Sequence, residues 1–113
     1  MAVLKYEDLL AEVNREREEN GLHFTCKDGR TVTLSPVTIL GDEELKVVEE
    51  LLSVVSNDDA ENHVRLEAMD SMLLAAAGNS AAFKESLFDI PPQYRTKIFE
   101  AWMAATEPGE ASA

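Results

Sequence analysis

The chain has 113 residues, 45% of them hydrophobic, with 22 acidic against 10 basic side chains and a net charge of −12. This suffices for one domain with a modest core and excludes the composition of a disordered chain. The charge argues against a nucleic-acid or anionic-membrane surface, since phosphates call for a basic face, and one cysteine, Cys26, excludes an internal disulfide and points to a reducing compartment.

Residues 1–20 form an N-terminal amphipathic helix or arm. Tyr6, Leu9, Leu10 and Val13 recur at helical spacing, and Asn20–Gly21 is a helix-stop signal. The opening "MAVLKYEDLLAEV" has acids where a signal peptide needs an apolar core. No apolar run approaches the ~20 residues of a membrane-spanning helix. A cytoplasmic protein is expected.

The stretch "GLHFTCKDGRTVTL", residues 21–34, is the one segment with β character, and its register follows from its pattern. A two-residue Asp28–Gly29 turn would pair Lys27 with Arg30 and leave both faces half apolar. A three-residue loop, Lys27-Asp28-Gly29, pairs Cys26 with Arg30, Phe24 with Val32 and Leu22 with Leu34. One face is then Leu22, Phe24, Cys26, Val32 and Leu34; the other is His23, Thr25, Thr31 and Thr33. A one-residue slip exchanges faces, so the pattern selects the bulged register. Two strands alone are only marginally stable, so the apolar face must lie on the helices or on a partner.

Four further helical segments follow. Ser35–Pro36 is a cap for a single turn, and Asp42 is the N-cap of a helix over 43–56 with Leu45, Val48, Leu52 and Val55 on its inner stripe. A second helix, 60–77, presents Leu66, Met69, Leu73 and Ala76. Ser80 caps a short helix carrying Phe83 and Leu87, and "DIPPQ" starts a last helix over 92–105. The expectation is a mainly α protein: about four to five helices with one N-terminal β-hairpin. Residues 21–105 form the hairpin and helical domain, and 106–113 a flexible tail. The expected core is Phe24, Val32, Leu34, Leu45, Val48, Leu52, Leu66, Met69, Leu73, Phe83, Leu87, Ile98 and Trp102.

No catalytic, cofactor or metal signature appears. His23 and His63 have no second ligand at metal spacing. Cys26 sits on the apolar strand face, where a small buried hydrophobe is the simpler reading than a nucleophile. "NDDAEN" (57–62) lacks the glycine and closing glutamate of a calcium loop. The reading is of a non-enzyme without cofactors. Two features suggest partner binding. The segment 42–61 holds eight acids and one lysine, with Glu43, Glu44, Glu49 and Glu50 on one helix; this is either a solvated face or a contact for a basic partner. The last helix carries Tyr94, Phe99, Trp102 and Met103, a stripe too wide for one core contact, which would suit a helical or extended partner.

The layout resembles the tail assembly chaperones of long-tailed, siphovirus-like bacteriophages. What matches is a charged N-terminal segment, the hairpin pattern Phe24-x-x-x-Asp28-Gly29-x-x-x-x-Leu34, a helical domain, and the ending "AAFKESLFDIPPQYRTKIFEAWMAATEPGEASA". The resemblance covers residues 20–113 and lies in layout, with no catalytic motif. It implies a factor of the host cytoplasm, absent from the finished virion, that binds the tape-measure protein and helps recruit tail-tube subunits. It also implies a short form from which a ribosomal frameshift near "PGEASA" makes a longer one. A highly charged chaperone coating apolar tape-measure helices would keep them soluble.

Two other readings stay open: an acidic DNA mimic that occupies a basic nucleic-acid-binding protein, and a dimeric helical adaptor. Mimicry requires carboxylates spread along an extended surface, and here they cluster in one segment. Homo-oligomerisation is left open. The hairpin is either a cover over the helical core or a β edge for a partner strand or second copy.

Overall fold

The computed structural model describes residues 2–106. Five helices and one hairpin follow in order: α1 (Tyr6–Asn20), β1 (Leu22–Thr25), β2 (Thr31–Leu34), a 3-10 turn (Val37–Ile39), α2 (Asp42–Val55), α3 (Asn62–Ala76), α4 (Ala81–Phe88) and α5 (Pro92–Thr106). The protein is mainly α, as expected. Thr106 ends α5, and the remainder of the expected tail lies outside the described residues.

The hairpin has the bulged register. Leu22 pairs with Leu34, Phe24 with Val32 and Thr25 with Thr31. The Cys26 amide donates to the Arg30 carbonyl at 2.7 Å, and the Gly29 amide to the Cys26 carbonyl at 2.9 Å. Gly29 has φ +91°, and a Cβ there would meet nothing within 4 Å. The demand for glycine is therefore conformational and not steric. Gly29→Val is expected to destabilise the fold by about 1–3 kcal/mol, the cost of holding a β-branched residue in the left-handed region. A urea melt that matches the parent would show that the loop relaxes at no cost.

The apolar face of the hairpin lies on the helices, as a cover would. Cys26 and Leu34 are buried, and Leu22, Phe24 and Val32 pack against the core. Phe24 meets Phe83 of α4 edge-on, with centroids 5.4 Å apart. The Lys27 amide donates to Ser86 Oγ at 2.9 Å, tying the loop to α4.

α3 is the central helix and packs on α2, α4 and α5. It buries Ala68, Met72, Leu73, Ala75 and Ala76, more than one stripe, because neighbours cover it on several sides. With Val48, Phe83, Leu87, Ile98, Phe99 and Trp102 these form the core. Phe24, Val32, Leu52 and Met69 are half-buried against it. Leu45 and Leu66 are corrected: both are half-buried and stand outside the core cluster.

One boundary assignment also changes. Asp42 lies inside the first turn of α2 with Glu43 and Glu44, preceded by Gly41 without a side-chain cap; the acids act on the helix dipole instead. α1 does stop at Asn20–Gly21 as expected, with Gly21 extended, at φ −81° and ψ 162°, instead of left-handed. Glycine is required there by close approach: a Cβ would collide with the Arg17 carbonyl oxygen and lie 2.8 Å from that of Leu34. Ser80 does cap α4, its Oγ accepting from the Phe83 amide at 3.3 Å.

Ser35 caps no turn and instead joins three helices. Its amide donates to the Ala76 carbonyl of α3 at 2.9 Å. Its carbonyl accepts from Trp102 Nε1 of α5 at 2.9 Å, and its Oγ accepts from Arg17 Nε of α1 at 3.0 Å. The residue that leaves the hairpin thus satisfies backbone and side-chain groups from both ends of the chain.

Candidate partner-binding surfaces

The stripe on α5 faces inward. Ile98 and Phe99 are nearly buried, Trp102 is fully buried and Met103 is half-buried against the core. The stripe is wide because α5 is covered twice, by α3 on one side and by β1 on the other. Phe99 and Trp102 are therefore core residues, which corrects the expectation that they form a binding patch. Tyr94 is exposed, at 58%, with Lys97 Nζ 5.4 Å from its ring centroid.

The acids of α2 face solvent. Glu43, Glu49 and Glu50 are exposed and Glu44 is half-buried, while Val48, Leu51, Leu52 and Val55 turn inward. Among the described residues none of these four carboxylates lies in an ion pair. With Lys46 the one cation on the helix, their field stays negative and reaches about 8 Å into physiological salt.

Both ring nitrogens of His23 are engaged, Nε2 with the Glu18 carbonyl at 2.8 Å and Nδ1 with Thr33 Oγ1 at 2.9 Å. His23 thereby joins α1 to the hairpin. His63 lies 3.3 Å from Glu61 on the surface. Among the described residues no group of three or more His, Cys, Asp or Glu is placed to hold a metal ion, and no helix is long and apolar enough to cross a membrane.

A buried ion pair that no local sequence pattern marks joins α3 to α5. Asp70 of α3 is 7% exposed. Its Oδ2 accepts from Arg95 Nη1 at 2.9 Å. Arg95 Nε also donates to the carbonyls of Leu87 and Ile90, and its guanidinium lies 4.9 Å from the Phe88 ring centroid. One side chain in the first turns of α5 thus ties down α3 and the end of α4. Burial pushes the Asp70 carboxyl above its ordinary range, and the bond and charge of Arg95 pull it partly back.

The exposed apolar surface lies mainly at the other end of the chain. Among the described residues, five of the nine exposed large apolar side chains precede residue 11: Val3, Leu4, Tyr6, Leu9 and Leu10. α1 buries no residue at all. Compared with protein-family models, curated proteins and solved structures, the chain matches none.

Proposed function

We propose that the protein is a tail assembly chaperone of a long-tailed bacteriophage, which binds the tape-measure protein in the host cytoplasm and helps recruit tail-tube subunits. The supporting observation is an apolar helix face left uncovered on a molecule of net charge −12, a combination that suits protein contact. The bulged hairpin Phe24–Leu34 laid over a helical body also fits the layout that suggested this family. Binding through Phe99 and Trp102 is not part of the proposal, because both are packed into the core. Tyr94 stays available at the exposed start of α5. Glu43, Glu49 and Glu50 supply attraction for a basic partner that fades as salt rises.

The test is co-expression with the tape-measure protein from the same genome. The expected result is a several-fold larger soluble tape-measure fraction that co-purifies with this chain, and loss of tail assembly when the gene is deleted. Unchanged solubility together with normal tails would end the chaperone reading. Co-purification with a DNA-binding protein, displaced by added DNA, would establish the mimic reading in its place.

A further inference from the structure

The face of α1 changes character along its length. At 100° per residue, Tyr6, Leu9, Leu10 and Val13 share one side with Glu16, Arg17 and Asn20. Val13, Glu16, Arg17 and Asn20 are half-buried. Arg17 bonds Ser35 Oγ at 3.0 Å, and Glu16 Oε1 accepts from Thr38 Oγ1 at 3.1 Å. This half of the face is docked on β2 and the 3-10 turn. Every residue from Ala2 to Glu12 is exposed. The same face therefore continues beyond the body as an apolar stripe with nothing against it.

Charge and area bear on what covers the stripe. Residues 2–14 hold Glu7, Asp8 and Glu12 against Lys5 alone, and among the described residues none of these acids is in an ion pair. Glu7 flanks one side of the stripe and Glu12 the other. A second copy would bring another −12 chain to this surface. The three bare side chains, Tyr6, Leu9 and Leu10, fall short of the roughly 800 Å² per partner of a stable interface, so any contact through the stripe alone is weak, and pairing with a second copy is in addition repulsive.

We propose that the overhanging face of α1 docks an amphipathic helix with basic flanks from another protein, its apolar side on Tyr6, Leu9 and Leu10. Such a helix meets the stripe by knobs-and-grooves packing and the carboxylates by charge. The inference rests on the assembly-factor reading only for which protein supplies the helix.

The experiment uses the full chain and a labelled peptide of about 18 residues, leucines at i, i+3, i+4 and i+7 and lysines elsewhere, followed by fluorescence anisotropy. A leucine–glutamate peptide of the same pattern is the control. The lysine peptide is expected to bind and the glutamate peptide not. Leu9→Ser with Leu10→Ser should weaken binding about tenfold or more at ~0.15 M salt, with the thermal melt unchanged because the stripe is not part of the core. Glu7→Gln, Asp8→Asn and Glu12→Gln together should weaken binding most at low salt. Equal binding by the serine variant would overturn the stripe, and an unchanged salt response in the amide variant would overturn the basic flanks. A parent dimer in sedimentation that the serine variant dissolves would assign the face to a second copy instead. These outcomes stand apart from the co-expression test: peptide binding without tape-measure solubilisation would retain the surface and remove the chaperone role.

Discussion

Trp102→Ala is expected to destabilise the protein by about 3–5 kcal/mol, the range for removing a large aromatic side chain from a packed core. The indole is fully buried and lies 6.0 Å from Phe99, centroid to centroid. Its Nε1 also donates to the Ser35 carbonyl at 2.9 Å. Truncation therefore leaves a cavity and an unsatisfied carbonyl at the junction of α1, α3 and α5. Small domains have roughly 5–15 kcal/mol of total stability, so the loss consumes a large share of it. The midpoint of a thermal melt followed by circular dichroism should fall on the order of 15 °C or more. Trp102→Phe keeps most of the volume and removes the hydrogen bond, so it should cost distinctly less. If both variants melt with the parent, Trp102 is not the keystone that its burial implies.

Arg95→Ala should be comparably damaging, at about 3–5 kcal/mol, for a different reason. It removes the cation from a buried pair and leaves the Asp70 carboxylate uncompensated. The Leu87 and Ile90 carbonyls lose a shared donor in the same step. The pH dependence separates this mechanism from lost packing. Burial already holds the native carboxyl above its ordinary 3.8. Without Arg95 it rises further, so the native state binds the proton more tightly than the unfolded chain does. The stability from that proton is fully present below the unfolded pKa and is lost as pH rises through the native one. The deficit of the variant should thus be largest near neutrality and shrink on acidification. Asp70→Leu with Arg95→Met, which removes both charges, should recover part of the loss at neutral pH. A deficit independent of pH would mean that packing, not the orphaned charge, accounts for it.

Much of this architecture follows from local rules. The hairpin register was legible because period-two alternation permits only one slip that collects Leu22, Phe24, Cys26, Val32 and Leu34 on one face. Ser80, the double proline at 91–92 and the spacing of apolar residues marked α4 and α5 within a residue or two. These signals act over a few residues, so a sequence displays them directly. The concentration of acids on α2 was equally plain, and three of the four singled out, Glu43, Glu49 and Glu50, are exposed.

What decided the surfaces was tertiary. The aromatic face of α5 and the apolar face of α1 look alike as sequence, each a stripe at helical spacing. The hairpin covers the first and reaches only the later half of the second, leaving Tyr6, Leu9 and Leu10 bare, and no rule of spacing says which helix a two-stranded flap will lie on. The Asp70–Arg95 pair is of the same kind: an acid set among apolar residues in "AMDSMLLAAA" signals that a partner is needed, yet it lies 25 residues from the cation it meets. Ser35 looked like a turn cap because its neighbours in sequence permit one. Its actual partners come from α1, α3 and α5, brought together only when the chain closes. Periodicity states which residues want burial; the packing of distant elements decides which of them obtain it.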